Sequence, residues 1–226
     1  MGTDMRETAA LQRVKQGYTT GARSLASRWI GGLARTRVTP NVLTTTGVSL
    51  CLAASVVVVF ENRNPWLFYW AGAVMFVVGS ILDILDGALA RAGGKTTPFG
   101  AFLDSTTDRI GEAAMLGSIA LVFHRHDHPV ALAIAFAAVA GSLLVSYTRA
   151  RAEALGLRGD VGIGSRAERV VVITGGLVLA PISIWLLVAA ISLLAATAWL
   201  TVLQRILHVR RQLIQLGGTT NGSGER

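Results

Sequence analysis

Long apolar segments recur along this chain and limit what it can fold into. Charged residues make up only 15% of its 226 residues, whereas a soluble domain carries about 25%. An α-helix needs about 20 apolar residues to cross the hydrocarbon core of a bilayer. Segments that approach or exceed this length are residues 42–60, 65–82, 99–123, 129–147 and 170–203. The sequence therefore indicates a polytopic membrane protein and argues against a disordered chain, a disulfide scaffold and most soluble classes.

The last of these segments is too long for one ordinary span. Pro181 lies near its middle, and proline disfavours continuation of a helix. We therefore expect two helices that meet at a tight turn near residues 179–183. The predicted fold is an all-α integral membrane protein with six transmembrane helices, which form one domain over residues 39–212.

The two ends of the chain differ from this domain. Within residues 1–38, apolar side chains such as Leu11, Tyr18 and Trp29 recur at helical spacing beside basic residues. This pattern predicts an amphipathic juxtamembrane helix on the cytoplasmic face, with a partly disordered basic arm as the alternative. Residues 213–226 include a Gly/Ser/Thr-rich stretch, and we expect them to form a disordered tail.

The basic residues fall almost entirely on one side of the predicted spans, in a chain of net charge +8. Only Arg63 and Arg125 lie in the loops predicted to face outward. Cytoplasmic loops of membrane proteins carry the excess of lysine and arginine. We therefore expect a multi-pass protein of the cell (plasma) membrane whose charged helix ends face the cytoplasm. Its expected partners include membrane lipids and no nucleic acid.

The sequence also argues against several kinds of site. Cys51 is the only cysteine, so the chain can form neither an intramolecular disulfide nor a multi-cysteine metal site. We expect Cys51 to be a buried packing residue. With only four histidines, a zinc enzyme is disfavoured.

Four aspartates lie in the predicted spans, where ionisable groups are costly and mark function by default. Asp83 and Asp86 are three residues apart near the inner end of the second span, so they share a helix face. Asp104 and Asp108 are four residues apart at the inner start of the third span and also share a face. A short loop through residues 92–97 joins the two helices. We therefore expect all four carboxylates to converge at one depth.

Four carboxylates in a low-dielectric site cannot all remain ionised without cations. Oxygen ligands without cysteine or histidine select Mg²⁺, Mn²⁺ or Ca²⁺. Two such ions would neutralise the cluster, and two neighbouring metals can clamp the attacking and leaving oxygens of a phosphoryl displacement. The alternative is that Asp83 and Asp108 form ion pairs with Arg91 and Arg109.

The residues around this cluster resemble the signature of the CDP-alcohol phosphotransferase family. They read Asp83-Ile-Leu-Asp86-Gly87-Ala-Leu-Ala90-Arg91, then eight residues, Gly100, three residues, Asp104, three residues and Asp108. The resemblance implies that Asp108 takes the proton from the attacking hydroxyl. It also implies that two Mg²⁺ or Mn²⁺ ions are bound by Asp83, Asp86, Asp104 and Asp108.

The segment Thr39-Pro40-Asn41-Val-Leu-Thr44 is similar to the start of the first helix in the same family. An ordinary helix start is the alternative for this segment, and ordinary helix packing is the alternative for the glycines of the signature. Taken together, the resemblances imply a CDP-diacylglycerol site formed by Asn41, Thr44, Gly87, Arg91, Thr97 and Gly100.

The resemblance implies that an alcohol attacks the phosphorus that bears the lipid and that CMP leaves. The identity of this acceptor alcohol has to be inferred from the basic residues near the inner ends of the spans. A phosphorylated acceptor accounts for several arginines there, because guanidinium groups bind phosphate bidentately. Positive-inside anchoring is the alternative. Residues 146–169 and the pair Gln204-Arg205 resemble the corresponding parts of actinobacterial phosphatidylinositol phosphate synthases, which are membrane dimers. The implied acceptor-phosphate residues are Arg149, Arg151, Arg166, Arg169 and Arg205.

The resemblance therefore implies a homodimeric phosphatidyltransferase. It would join CDP-diacylglycerol to inositol 1-phosphate (1D-myo-inositol 3-phosphate) and release CMP. Phosphatidylglycerophosphate synthesis is the nearest alternative, because glycerol 3-phosphate also carries a phosphate. A small cation transporter would have acids nearer mid-membrane and an internal repeat. The presence of all four aspartates disfavours a catalytically silent scaffold.

Overall fold

A computed structural model describes residues 40–92, 96–162 and 165–221, and within these ranges all the regular structure is helical. The amphipathic helix predicted over residues 1–38 lies outside the described residues. An all-α fold is confirmed for the described part of the chain. Its helices are α1 (Pro40–Val58), α2 (Pro65–Ala92), α3 (Pro98–Arg125), α4 (Pro129–Ala154), α5 (Arg166–Leu179) and α6 (Ile184–Asn221).

Length and composition make four of the described helices candidates for crossing a membrane. The helix α3 is long enough, but its first half carries charged residues such as Asp104 and Asp108. The helix α5 has only 14 residues. Six spans therefore stay a prediction, whereas a helical membrane protein is supported by the candidate spans Asn41–Val58, Pro65–Ala90, Pro129–Ala154 and Ile184–Leu216.

The turn that Pro181 predicts is present. The helix α5 ends at Leu179, and α6 begins at Ile184. The amide of Ile182 donates a hydrogen bond to the carbonyl oxygen of Leu179 at 3.0 Å, which closes the turn. The prediction of two helices within residues 170–203 is confirmed.

The end of α6 corrects one predicted boundary. We expected disorder from residue 213, but α6 continues through Asn221. Ile206, Leu213 and Ile214 recur at helical spacing, so an apolar helix face continues past the last basic residues of the helix. Residues 222–226 lie outside the described ranges.

Glycines let α1 and α2 approach closely near the aspartates. A Cβ atom added to Gly47 would lie 2.9 Å from the carbonyl oxygen of Gly79, and one added to Gly79 would lie 2.7 Å from Cys51 Sγ. Only residues without a Cβ permit this crossing. It brings Thr44 of α1 into contact with Asp86 of α2. Cys51 is buried at the crossing, as predicted.

Away from the aspartates, the bundle has an apolar core and an apolar exterior. Large side chains such as Val74, Phe136 and Trp185 face outward, as expected for a surface in contact with lipid. The core packs α3 against α1 and α4 and packs α5 against α6, and this packing fixes the position of the charged first half of α3. Its largest fully buried side chains include Met115, Leu116, Ile119, Phe123, Ile173, Leu177, Leu187 and Ile191.

Candidate active site

Three of the four predicted metal ligands meet between α2 and α3. Carboxylate oxygens of Asp83, Asp104 and Asp108 all lie within 4.8 Å of one another. The i, i+4 spacing on α3 places its two aspartates on one face, and this face points at Asp83 of α2. The predicted convergence is therefore present for these three residues.

Asp86 lies one helical turn further along α2 and is only 2% exposed. The hydroxyl of Thr44 donates a hydrogen bond to its Oδ2. Its Oδ1 is buried without a hydrogen-bond partner. A buried carboxylate oxygen that lacks a partner costs free energy unless a ligand completes it. Asp86 thus has the unfilled ligand position that a cation site requires.

A single guanidinium inserts into the aspartate cluster. Arg166, the first residue of α5, forms ion pairs with Asp83 and with Asp108, at 2.7 Å in the second case. Arg109 lies further from Asp108, at 3.7 Å. The family resemblance implies that Arg166 binds the acceptor phosphate, but in the structure Arg166 contacts the carboxylates. Among the described residues, the cluster of four carboxylates forms ion pairs with two guanidiniums, those of Arg166 and Arg109, and the remaining negative charge fits divalent cations.

The start of α5 is held by its own cap. The Ser165 hydroxyl accepts a hydrogen bond from the amide of Glu168, and the Glu168 carboxylate accepts one from the Ser165 amide at 2.6 Å. This capping box fixes the first turn of the helix. The first turn carries Arg166 into the aspartate cluster and places Arg169 one turn later.

A large open cavity joins the aspartates to the predicted acceptor residues. Its volume is about 980 Å³. Asp104 and Asp108 line it. So do four of the five predicted acceptor arginines, Arg149, Arg166, Arg169 and Arg205.

Arg151 is the exception among the predicted acceptor residues. It does not line the cavity; it lines a separate groove between α4 and α6. Residues two apart on a helix point in different directions, which accounts for the different surroundings of Arg149 and Arg151. The cavity thus gives no support to an acceptor-phosphate role for Arg151, which stays a prediction.

Glu112 and Ser142 hold Arg169 beside the cavity, and sequence reasoning assigned neither of them a role. The Ser142 hydroxyl donates to Glu112 Oε1 at 2.7 Å and accepts from Arg169 Nη1 at 3.1 Å. Arg169 Nε lies 3.3 Å from Glu112 Oε1. Glu112 follows Asp108 at i+4 inside a predicted span, and that spacing was the available signal. Its partners lie on α4 and α5, so only the fold reveals them.

The other two predicted acceptor arginines that line the cavity are also held in place. Arg149 Nε donates to Glu153 at 2.9 Å on the exposed side of α4. The buried Arg205 donates from Nε to the carbonyl oxygen of Val161 at 2.9 Å and from Nη1 to that of Val145. Arg205 therefore ties α6 to α4 and to the loop before α5, in addition to lining the cavity.

The predicted nucleotide residues lie around the starts of α1 and α3. Asn41 is exposed in the first turn of α1. The Thr97 hydroxyl accepts a hydrogen bond from the amide of Gly100 at 3.0 Å and so caps α3. Gly87 is half-buried on α2, whereas the side chain of Arg91 lies outside the described residues. No contact described here tests their role toward a nucleotide.

The sequence profile of the CDP-alcohol phosphatidyltransferase family matches residues 37–210, which include every residue of the aspartate cluster and the cavity. The chain belongs to this family. The resemblance drawn from the aspartate signature is confirmed. The protein is thus an enzyme of phospholipid synthesis, and its family uses divalent metal ions.

Named relatives of this family member come from archaea and actinobacteria. The archaetidylinositol phosphate synthase of Pyrococcus horikoshii is 37% identical over 182 residues, which cover 80% of this chain and 88% of the relative. The phosphatidylinositol phosphate synthase of Streptomyces avermitilis is 33% identical over 204 residues, which cover 83% of this chain and 79% of the relative.

Solved structures of one phosphatidyltransferase, the Mycobacterium tuberculosis phosphatidylinositol phosphate synthase, are similar in fold. The form with CDP-DAG bound has a TM-score of 0.71 and 32% identity, covering 82% of this chain and 94% of that chain. The complex with manganese and citrate has a TM-score of 0.71 and 32% identity, covering 81% of this chain and 88% of that chain. The manganese complex agrees with the prediction of a divalent metal for the aspartate cluster.

Proposed function

We propose that this enzyme transfers the phosphatidyl group from CDP-diacylglycerol to inositol 1-phosphate and forms phosphatidylinositol phosphate and CMP. The observation that carries the proposal is the single cavity in which Asp104 and Asp108 face several arginines. A phosphorylated alcohol fits this cavity, because its hydroxyl can reach a carboxylate while guanidinium groups bind its phosphate. The activities for which the relatives are named support the same acceptor.

Two divalent cations, Mg²⁺ or Mn²⁺, would be held by Asp83, Asp86, Asp104 and Asp108. The unpartnered Asp86 Oδ1 and the negative excess of the cluster support this assignment. Bound there, the ions supply neutralisation of the phosphate charge and polarisation of its oxygens. Arg166 lines the cavity as well as contacting the aspartates, so its guanidinium can turn toward the acceptor phosphate when cations neutralise the cluster.

Asp108 is the proposed general base. The acceptor hydroxyl oxygen forms a bond to the phosphorus that carries the diacylglycerol, and the bond from this phosphorus to the CMP oxygen breaks. CMP leaves with the electron pair of that bond, and the hydroxyl proton moves to a carboxylate oxygen of Asp108. The position of Asp108 between the cluster and the open cavity supports this role.

The acceptor phosphate is proposed to bind Arg149, Arg169 and Arg205 across the cavity from Asp108. Glu112 and Ser142 act through Arg169 by holding its guanidinium in place. The CDP moiety is proposed to lie along the starts of α1 and α3 and the end of α2. Its proposed contacts are Asn41, Thr44, Gly87, Arg91, Thr97 and Gly100.

The proposal includes a topology. The helices α3 and α5 would cross the membrane with the four apolar helices, giving six spans. The cavity would face the cytoplasm at the plasma membrane, and the enzyme would work as a homodimer. The support is the excess of basic residues at the cavity end, which the positive-inside rule places in the cytoplasm.

One assay tests the acceptor. Purified enzyme is given CDP-diacylglycerol, Mn²⁺ and one alcohol at a time: inositol 1-phosphate, glycerol 3-phosphate or unphosphorylated inositol. We expect CMP release with inositol 1-phosphate alone. Release with glycerol 3-phosphate alone would assign the enzyme to phosphatidylglycerophosphate synthesis, and release with unphosphorylated inositol would remove the need for a phosphate site.

A matched pair of variants tests the cavity. Arg149→Gln should weaken acceptor binding, whereas Arg158→Gln removes the same charge from an exposed position near the same end of α4 that does not line the cavity. Equal effects of the two substitutions on the acceptor KM would contradict the assignment of Arg149.

A further inference from the structure

A second groove lies beside the active-site cavity, between the end of α4 and the extension of α6. Its volume is about 500 Å³. Tyr147 and Arg205 line both the groove and the cavity. The groove is therefore at the aspartate end of the bundle, but it contains none of the four aspartates.

The walls of the groove are apolar faces of two neighbouring helices. Neither face is covered by another described helix, and Leu155, Ile206 and Leu213 are each about half exposed. The helical periodicity that extends α6 to Asn221 is the same periodicity that builds one wall. The apolar wall residues are Ala152 and Leu155 on the α4 side, and Ile206, Val209, Leu213 and Ile214 on the α6 side.

Positive charge is concentrated in this apolar groove. Arg151, Arg205 and Arg210 line it, and no acidic residue does. Arg205 is buried and bonded to backbone carbonyls. Arg151 and Arg210 are exposed, and they form no ion pair among the described residues. Basic pockets between membrane helices recognise anionic lipid headgroups.

We propose that this groove binds an anionic phospholipid of the surrounding bilayer. An acyl chain would lie against the apolar walls, and the headgroup phosphate would lie between Arg151 and Arg210. Charge disfavours two other occupants. A second copy of this surface would oppose arginine to arginine. Residues 1–39 carry seven basic residues against Asp4 and Glu7, so the arginines of the groove would repel this segment. This proposal does not depend on the identity of the acceptor alcohol.

The first test is lipid selectivity. Full-length enzyme is purified into mixed micelles with equal amounts of phosphatidylglycerol and phosphatidylcholine of the same acyl chains, and the bound lipids are counted by native mass spectrometry. We expect a preference for phosphatidylglycerol of about tenfold, because both lipids carry a phosphate but only phosphatidylglycerol has a net negative charge to attract the two arginines. The double variant Arg151→Gln/Arg210→Gln should bind both lipids equally.

The control removes the same charge from the same part of the molecule. Arg211 neighbours Arg210 on α6 but lines a different surface, and Arg158 lies outside the groove. The variant Arg158→Gln/Arg211→Gln should keep the tenfold preference. An equal loss in this control, or an unchanged preference in Arg151→Gln/Arg210→Gln, would overturn the proposal.

A second test identifies what occupies the groove. A photoreactive amino acid is placed at the exposed position Leu213, and crosslinked products are analysed by mass spectrometry. A crosslink to phosphatidylglycerol that weakens in the double variant supports the proposal. A crosslink to residues 1–39, or to position 213 of a second copy, would assign the groove to protein and overturn it. Thermal unfolding of each variant verifies that the fold is retained.

Discussion

The two ends of the bundle both bury carboxylates, but the chain compensates them differently. Glu61, in the connection between α1 and α2, is 2% exposed. Its oxygens have Arg125 at 3.7 Å and His126 at 3.5 Å, both from the far end of α3. This single acid has an arginine and a histidine of the chain within ion-pair distance, although its Oε1 has no hydrogen bond from the described residues.

The aspartate end lies about 27 Å away along α2, from the helical rise between Pro65 and Asp83. There, Asp83 and Asp86 are as deeply buried as Glu61, yet among the described residues only Arg166 and Arg109 form ion pairs with a cluster of four carboxylates. The comparison teaches that burial of an acid does not identify a functional site. A deficit of compensating charge does, because the missing cations must come from outside the chain.

The largest expected effect is a loss of turnover, and we expect it for a substitution at the aspartate end but not for one at the Glu61 end. Asp108→Asn should lower kcat at least about 10³-fold, because the amide cannot accept the hydroxyl proton. Glu61→Gln should leave kcat within about twofold. Both are measured as CMP release at saturating substrates. CDP-diacylglycerol binding should persist in Asp108→Asn, and retained turnover in that variant would remove Asp108 as the base.

Removal of divalent cations should act on one end only. A chelator should lower activity at least about 100-fold, since the charge stabilisation that metals supply is worth several kcal/mol. Excess Mn²⁺ or Mg²⁺ should restore it. The chelator should lower the activity of Glu61→Gln and that of the unsubstituted enzyme by the same factor. Full activity in the chelator would contradict a metal role for the aspartates.

The network around Arg169 should affect acceptor binding and little else. Arg169→Gln should raise the KM for inositol 1-phosphate about 10- to 30-fold, the value of a charge-assisted hydrogen bond or two. Glu112→Gln should raise it less, because the guanidinium remains but is held more loosely. The KM for CDP-diacylglycerol serves as the internal control. An equal rise in both KM values would indicate a general disturbance of the fold.

The smallest expected effect is on thermal stability, and its sign differs between substitutions at the two ends. In the presence of a chelator, Asp86→Asn should raise the thermal unfolding midpoint, because one charge is removed from an uncompensated cluster. Glu61→Gln should lower the midpoint by an amount that corresponds to about 1–2 kcal/mol, since it weakens a compensated site whose arginine is partly exposed. A lower midpoint for both variants would mean that the aspartate end is compensated after all.

Much of the site could be predicted because it is local in sequence. The i, i+3 and i, i+4 spacings of the aspartates require only helices, and a short connection brings the helices together. The resemblance grouped Arg151 with Arg149, whereas the structure has the two side chains line different cavities. Sequence reasoning also missed Glu112, whose partners Ser142 and Arg169 are 30 and more residues away.

The sequence by itself determined the helical membrane class, the turn at Pro181, the family and the aspartates, because each depends on composition or on spacing within one or two helices. Only the tertiary structure decided where the guanidiniums point. It inserted Arg166 among the carboxylates, gathered Arg149, Arg169 and Arg205 in one cavity and turned Arg151 to a separate groove. The reason is that an arginine on a long flexible stem takes its partner from whichever helix packs beside it, and helix packing is a property of the whole chain.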